Sequence, residues 1–438
     1  DFAPHRIFYF YTTTTAGLSG CTKTCCTGVC TFRNKRLKME IKKSSIITKA
    51  NVHVNTVIIQ FKHFKPVPLN LEESCYFGIL KHTINEIFGT DYIPIYSPTS
   101  KPADLRKPIE VTHQHLGFPR VFSYSQTKES VVTNSSFFLI LPEELATPFD
   151  RLGHHIGLML IDDTILIPPV YPRPALCLTP TGPAILKPSI SDLTLRLPGG
   201  LALGRNGKSE DMRSALLCFG NDTLDSTVKV AKNERLLAIS EDTIVEDKTM
   251  GEVWVPRTGI LVRLAGNDRN ALRQNSTGQK VNFEVEGLMD SKHAIQCGPL
   301  LVENGEIVDL KQELLDEQFS LENGFRLPPS RFPIDTDITR AARFAIGITK
   351  DNKLVAVLVE GDSTRFQKGI KSKTGGMTLL ELAQLMVSLE VQTAMNFDGG
   401  GSVQGFVSGG GALVQSAEKH FSFQAQFDRP VPYCLLLE

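Results

Sequence analysis

One segment near the end of the chain constrains the fold more than any other, because an apolar run leads directly into an acid and three glycines. Residues 393–402 read TAMNFDGGGS, which predicts a buried strand that ends at Asp398. Glycine tolerates positive φ and close backbone approach, so consecutive amide N–H groups there can converge on an anion. The sequence therefore predicts a strand end, a carboxylate and an anion-binding turn at one edge of a sheet.

The segment before this strand has the pattern of a helix. Thr378 and Glu381 have the spacing of an N-terminal capping box, and apolar residues then recur at helical intervals. We predict a helix over about 379–390 and a strand over 393–398. The helix would span about 18 Å and the strand about 20 Å. An antiparallel pair of these lengths should bring Asp398 level with Glu381 and the helix N-terminus.

The rest of the chain is rich in strand patterns and poor in helical ones. Short apolar or alternating segments recur between turn residues, most clearly as a hairpin across Asp351 and Asn352. A helix is predicted over 71–88, Pro-rich loops over 94–120 and irregular structure over 187–230. The expected fold class is α+β, with a mixed, mostly antiparallel sheet flanked by a few helices and the C-terminal helix–strand unit at the active site.

Composition argues against several classes of protein. The 47 basic and 47 acidic residues cancel, so no global charge favours nucleic acid. No apolar run reaches the roughly 18 residues that a membrane span needs. We therefore expect neither a nucleic-acid partner nor a membrane span. No ligand pattern or cofactor motif is complete, so no metal and no cofactor are expected. Among nine cysteines, five lie scattered between apolar neighbours, which favours buried thiols in a reducing compartment such as the cytoplasm.

The C-terminal motifs resemble those of the phosphodiester glycosidase family. The matching segments are Gly376–Leu379, Glu381–Ala383 and Asn396–Ser402. Upstream, 342–347 resembles the family's Pro-Arg-Thr-Ala-Ile-Gly strand, 297–302 its Gly-Pro-x-Leu-Val segment, and 134–138 its Asn-Gly-Gly-Phe-Phe segment. The resemblance covers about residues 125–438.

This resemblance implies a hydrolase that cleaves the glycosidic bond of a sugar-1-phosphodiester, with free sugar and a phosphomonoester as products. Asp398 is then the expected base or nucleophile at the anomeric carbon, and Glu381 the second carboxylate, which activates water or donates a proton. The expected substrate-binding residues are Arg343, Asn134, Asn396, Gly399, Gly400, Gly401 and Ser402. A guanidinium matches two phosphate oxygens, so Arg343 and the glycine amides are expected to hold the phosphate.

Simpler interpretations remain for the same residues. Asp398 could merely end a strand, Glu381 could only cap its helix, and Arg343 could only form a salt bridge. Two other functions also stay open, namely a non-catalytic binding module for phosphorylated glycans and a glycosidase that acts on neutral polysaccharide. Ser135 and Ser136 replace family glycines, and 359–362 lacks the arginine of the family's Asp-Gly-Arg; these differences motivate the binding module.

The N-terminal region is predicted to differ from the rest. Residues 1–45 hold a threonine run, four clustered cysteines and a basic patch, and the first methionine is Met39. We expect a poorly ordered tail there, which could be a translated upstream leader, so it stays open whether residues 1–38 belong to the native protein. Residues 46–438 are expected to form the glycosidase-like catalytic domain, with the family match clearest in 340–407. Relatives are often exported, which conflicts with the cysteine pattern and leaves the compartment open.

Overall fold

The structure is a computed structural model that describes most of the chain. The described residues are 23–26, 29–34, 39–48, 52–68, 130–139, 144–145, 147–150, 153–204, 214–272, 275–288, 290–322, 324–328, 340–361, 375–407, 411–414, 420–422, 425–427 and 431–438. The predicted helix over 71–88 and the predicted loops over 94–120 lie outside these residues.

The described residues form thirty strands and two α-helices, numbered separately in chain order. The first half contains β1 Lys23–Cys26, β2 Val29–Asn34, β3 Met39–Ile47, β4 His53–Phe61, β5 Phe64–Pro68, β6 Val131–Asn134, β7 Met159–Ile161, β8 Thr164–Ile167, β9 Ala175–Thr179, β10 Gly182–Leu186, β11 Leu193–Arg196, β12 Ala202–Gly204, β13 Ala215–Leu217 and β14 Thr227–Lys229. The second half contains β15 Glu234–Ser240, β16 Thr243–Lys248, β17 Glu252–Trp254, β18 Ile260–Ala265, β19 Asn282–Val285, β20 His293–Gln296, β21 Leu300–Glu303, β22 Glu306–Ile307, α1 Leu310–Asp316, β23 Arg343–Thr349, β24 Leu354–Val359, α2 Leu379–Ser388, β25 Val391–Phe397, β26 Gly405–Val407, β27 Gly411–Val414, β28 His420–Ser422, β29 Ala425–Phe427 and β30 Tyr433–Leu437.

A nine-stranded sheet organises the C-terminal part of the molecule. Its strand order is β1-β2-β3-β4-β24-β23-β25-β21-β22. Neighbouring strands in this sheet are antiparallel, including β23 with β25 and β21 with β25. β3 pairs with β4 from Glu40 to Ile47, and Met39 and Ile41 are buried. Residues 39–45, which the sequence assigned to the tail, therefore belong to the sheet.

The other strands form six smaller sheets. Two have five strands, in the orders β10-β9-β20-β7-β8 and β27-β26-β6-β30-β5. The remaining sheets have four, three, two and two strands. All pairs of named strands in the described residues are antiparallel, which confirms the mostly antiparallel, strand-rich class but divides the expected single sheet into several.

Helix α2 covers one face of the nine-stranded sheet. Its cap is Thr378, whose side chain accepts from the Glu381 N–H while the Glu381 carboxylate accepts from the Thr378 N–H, as the sequence predicts. Apolar residues at helical spacing then pack against β21, β23 and β25. The approach is close at Gly347, where an added Cβ would lie 2.8 Å from Met386 Cε. Burial of each leucine on this face contributes about 2 kcal/mol or more.

Local sequence signals located most elements of the second half. The helix predicted over 379–390 is α2, the strand predicted over 393–398 is β25, and the predicted hairpin is β23–β24. The prediction of irregular structure over 187–230 was wrong, because β11 to β14 lie there. These strands have three or four residues each, too few to show a period of two clearly. None of the helices within the described ranges has the length and hydropathy needed to cross a bilayer.

Candidate active site

The ends of several strands meet around Asp398. β25 ends at Phe397, which pairs with Phe344 on β23, so the same register places Arg343 opposite Asp398. The Gly400 N–H donates to Ala342 O at 2.8 Å, which continues the contact beyond the last strand pair. The Asp398 residue is 6% exposed. The predicted acid therefore lies at a strand end, largely enclosed by its neighbours.

Asn134 joins a second sheet to this strand end. Its Nδ2 donates to the Asp398 carbonyl at 2.8 Å, and its Oδ1 accepts from the Gln404 N–H at 3.2 Å. The Asp398 N–H donates to Ser135 O at 3.1 Å. Because Asn134 is fully buried and its amide bonds on both sides, it fixes the backbone of Asp398 relative to β6.

Asn396 is held by the segment that precedes β21. Its Nδ2 donates to Gly298 O at 2.9 Å and its N–H donates to Pro299 O at 2.9 Å, while the Gly298 N–H donates to Asn396 O at 3.0 Å. The Oδ1 atom of Asn396 is buried and has no hydrogen-bond partner among the described residues. A buried acceptor in this state is costly unless a ligand or water supplies a donor.

Arg343 carries a guanidinium into the protein interior. It is fully buried at the start of β23, and its Nε donates to Met377 O at 3.0 Å. Met377 immediately precedes the cap of α2, and it also exchanges both backbone hydrogen bonds with Ala341. A buried cation requires partners of opposite polarity, so Arg343 places strong positive charge between Asp398 and the beginning of α2.

The glycine turn after Asp398 is compact. Gly400–Ser402 forms a single 3-10 turn, in which Gly400 has φ +54° and the Ser402 N–H donates to Gly399 O at 3.1 Å. Since the Gly400 N–H already bonds to Ala342 O, it is not free to bind an anion. The Gly399 N–H has no acceptor among the described residues. Of the predicted anion donors, Gly399 therefore fits the role better than Gly400.

Glu381 lies in the first turn of α2, not at the strand end that carries Asp398. One carboxylate oxygen forms an ion pair with Arg340, and the other accepts from the Thr378 N–H at 3.2 Å. Its side chain is 15% exposed. Within the part of the chain that the structure describes, the contacts of Glu381 are those of a helix cap with a counter-ion. It is connected to Arg343 through the 376–378 segment.

Comparison with known proteins finds a family that the C-terminal part of the chain resembles. The model of the phosphodiester glycosidase family matches residues 233–438, which include Arg343, Glu381 and Asp398. Residues 233–438 are therefore similar to the phosphodiester glycosidase family. The resemblance inferred from the C-terminal motifs is thereby confirmed. No curated protein sequence matches the chain.

Three solved structures match the chain at low sequence identity and with TM-scores below 0.5. A hypothetical protein from Synechocystis has a TM-score of 0.45 at 15% identity, over 91% of this chain and 62% of that one. A candidate exported protein from Burkholderia pseudomallei has a TM-score of 0.47 at 14% identity, over 88% and 74%. The catalytic domain of zebrafish N-acetylglucosamine-1-phosphodiester α-N-acetylglucosaminidase, auto-inhibited by its pro-peptide, has a TM-score of 0.38 at 13% identity, over 91% and 82%. The chain thus spans about three fifths of the Synechocystis protein.

The fold places most of the predicted site residues in one region. Asn134, Asn396, Asp398 and Arg343 lie at adjoining strand ends, together with the 399–402 turn. Sequence reasoning missed Gln404, which bonds to Asn134, and Glu317, which supports the Gly298 segment from behind. Neither residue belongs to a quoted family motif.

Cys297 is a buried thiol close to Asp398. Burial, together with the nearby Asp398 charge, raises the pKa of Cys297 to about 12. A thiol with this pKa stays protonated at neutral pH, so it is a weak nucleophile. The expectation of buried thiols is confirmed for Cys177, Cys218, Cys297 and Cys434.

A cavity of about 580 Å³ lies elsewhere in the domain. Its lining includes Lys62, Lys65, Lys292, Asp162 and Asp290. It opens at the His293 end of β20, whereas the site lies beyond the Gln296 end, roughly 10 Å along the strand. Glu438 also lines the cavity, so three acids match the three lysines and the cavity has no pronounced charge preference. In the described ranges, no group of three or more His, Cys, Asp and Glu side chains is placed to hold a metal ion.

Proposed function

We propose that the chain hydrolyses the glycosidic bond of a sugar-1-phosphodiester and releases a free sugar and a phosphomonoester. The observation that carries this proposal is the position of Asp398 opposite Arg343 and next to the open Gly399 N–H, within a segment of the phosphodiester glycosidase family. A carboxylate, a cation and an amide donor there suit the two ends of a sugar–phosphate bond.

The chemistry fits these groups. A phosphate leaves more readily than an alkoxide, so the site needs little acid assistance and must mainly stabilise an oxocarbenium-like anomeric centre. In the proposed reaction, Asp398 acts as base or nucleophile on the sugar side. Water oxygen bonds to the anomeric carbon, and the carbon–oxygen bond to phosphate breaks. Arg343 and Gly399 bind the departing phosphate.

The proposal keeps Glu381 as the second carboxylate, with a more restricted role than Asp398. Both of its oxygens already accept or pair with donors, from Thr378 and Arg340. Any role in turnover must therefore be performed from the helix N-terminus, where Glu381 is fixed. Asn396, with its open Oδ1, is the proposed acceptor for a sugar hydroxyl or a water.

A panel of sugar-1-phosphodiesters tests the activity. The chain is incubated with substrates that differ in sugar and in aglycone, and the release of reducing sugar and phosphomonoester is measured together. Equimolar release of both products by at least one substrate is expected. Asp398→Asn should release neither, whereas Asp351→Asn, at the exposed turn of the β23–β24 hairpin, serves as the matched acid-to-amide control. Failure of every substrate with the unsubstituted chain would reject the proposal.

A binding module for phosphorylated glycans is the second candidate. It is favoured by the low exposure of Asp398, and by Ser135 and Ser136, which stand where the family has glycines and are both buried. Binding of a glycosyl phosphate in calorimetry without release of sugar over hours would support this function. Hydrolysis of a neutral polysaccharide that inorganic phosphate does not inhibit would instead indicate an ordinary glycosidase.

A further inference from the structure

A buried carboxyl group lies directly behind the segment that holds Asn396. Glu317 follows the last residue of α1 and is fully buried. Its Oε1 accepts from the Leu300 N–H at 2.8 Å. Its Oε2 is buried without a hydrogen-bond partner among the described residues, and it lies 2.5 Å from the point that a Cβ on Gly298 would occupy. The carboxyl is therefore in direct contact with Gly298.

The surroundings of Glu317 contain charges of both signs. Lys187 Nζ lies 3.6 Å from Oε1 and also pairs with Glu313 on α1, one helical turn before Glu317. From the other side, Arg173 donates through Nε to the Glu317 carbonyl at 3.2 Å. Burial raises the pKa of Glu317 well above its usual value. The Leu300 N–H and Lys187 act in the opposite direction and lower this pKa, whereas Glu313 also raises it. The Glu317 carboxyl is therefore held in place by the groups that surround it.

The local backbone explains why a carboxyl is needed. β21 pairs with β25 through Leu300 and Val302, but the register shifts between these two residues. The Leu300 N–H donates to the Glu317 carboxyl. An apolar side chain at position 317 would fill the volume and leave this buried N–H without an acceptor, at a cost of about 1 to 3 kcal/mol.

The held segment continues directly to the candidate site. Gly298 and Pro299 form three hydrogen bonds with Asn396. In one of them the Asn396 side-chain amide donates to Gly298 O. Asn396 lies two residues before Asp398, so strand alternation gives both the same face. A shift of residues 298–300 would therefore move the Asn396 amide relative to Asp398.

We propose that Glu317 is a positioning residue, whose carboxyl fixes the 298–300 segment and through it the orientation of Asn396 beside Asp398. This inference rests on the proposed function for its kinetic consequence. Its structural part, the dependence of Asn396 on Glu317, does not require that function. Glu317 does not touch the reacting atoms and is not a catalytic residue.

Two substitutions separate positioning from packing. Glu317→Gln keeps an acceptor for Leu300 and should retain most of the turnover. Glu317→Ala removes it and should lower kcat by about 10-fold to 100-fold, the range for small misplacement of a catalytic group, with little change in KM. Asp316→Asn, on the adjacent exposed residue, is the matched control and should leave kcat unchanged.

A double-mutant cycle tests the route through Asn396. If Glu317 acts through Asn396, then Glu317→Ala combined with Asn396→Ala should have the kcat of Asn396→Ala alone. The proposal would be overturned if the two losses of kcat multiply in the double variant. It would also be overturned if Glu317→Ala keeps full kcat at a temperature where it is folded. If Glu317→Ala does not fold, the same cycle is measured with Glu317→Gln. Because Gln cannot match both carboxyl oxygens, Glu317→Gln should lose a little kcat. This smaller loss of kcat must also vanish in the Asn396→Ala background.

A measurement without substrate keeps this inference separate from the proposed function. The side-chain amide signal of Asn396, assigned by its loss in Asn396→Ser, is followed by NMR in ¹⁵N-labelled protein. Glu317→Ala should shift this signal and raise its hydrogen exchange at least about 10-fold, whereas Asp316→Asn should not. An unchanged Asn396 amide in Glu317→Ala would overturn the positioning role even if the enzyme is active. A shifted amide in a chain without turnover would support positioning and reject only the proposed activity.

Discussion

The two ends of strand β25 differ in chemistry although they belong to one strand. At the first end, Val391 and Ala394 pack into the apolar cluster beneath α2. At the second end, Asn396 and Asp398 are held by hydrogen bonds with two other segments of the chain, 134–135 and 298–299. The apolar end gains stability from area removed from water, whereas the polar end gains fixed orientation at little net stability. Substitutions at the two ends should therefore separate stability from turnover.

The largest expected effect is at the polar end. Asp398→Asn should lower kcat on a sugar-1-phosphodiester by about 10²-fold to 10⁴-fold, because the amide can act neither as base nor as nucleophile. Its midpoint of thermal unfolding should stay close to that of the unsubstituted chain, since Asn keeps the shape and the backbone contacts. Steady-state kinetics with calorimetry measure both quantities. Retained kcat in this variant would remove Asp398 from the mechanism.

The apolar end predicts the converse. Leu382 is fully buried in the cluster between α2 and the nine-stranded sheet. Leu382→Ala should lower the free energy of unfolding by about 2 to 5 kcal/mol, from lost burial and the cavity left behind. The kcat of the folded fraction should not change. Urea unfolding gives the first quantity, and a kcat loss as large as that of Asp398→Asn would show that the two ends are not separable.

Asp150, a buried acid outside the site, extends the comparison to the pH dependence of stability. Asp150 accepts from the N–H groups of Thr147 and Arg257, and burial raises the pKa of Asp150 to about 6. Since the folded state disfavours its ionised form, the stability contributed by Asp150 should fall as the pH rises from about 4 to about 6. The loss is on the order of 3 kcal/mol. In urea unfolding at pH 4 to 7, Asp150→Asn should not show this part of the slope; equal slopes would contradict the assignment.

Only a small effect on stability is expected at Glu381. Glu381→Gln preserves the capping box but loses the ion pair with Arg340, which should cost at most about 1 kcal/mol. The proposed second-carboxylate role predicts an additional fall in kcat of about 10²-fold. Kinetics on the same substrate as for Asp398→Asn tests this directly. Full kcat would assign Glu381 to the helix cap alone.

Sequence predicted what depends on neighbours in the chain. The capping box at Thr378, the helical spacing of α2 and the turn at Asp351 and Asn352 are local signals, and each gave the observed element. The division into several sheets was not predictable, because strand partners are chosen by contacts between distant residues. β6, for example, pairs with β26 and β30.

The candidate site shows the same limit. Asp398 and its glycines are recognisable as a motif, but the hydrogen bond from Asn134 joins residues 264 positions apart. Only the family resemblance related these two residues before the structure did. The Gly400 N–H donates to Ala342 O, and Glu317 lies behind Gly298. Both contacts depend on packing between distant segments, which residue spacing in the sequence does not predict.

The central claim, cleavage on the sugar side of the phosphodiester, is tested most directly by hydrolysis in ¹⁸O-labelled water. Mass spectrometry of the phosphomonoester shows which bond breaks, since its oxygens do not exchange with water as the anomeric hydroxyl does. Attack at the anomeric carbon leaves the phosphomonoester without label, which is the expected result for a site built around Asp398. One ¹⁸O atom in the phosphomonoester would show attack at phosphorus and contradict the glycosidase mechanism.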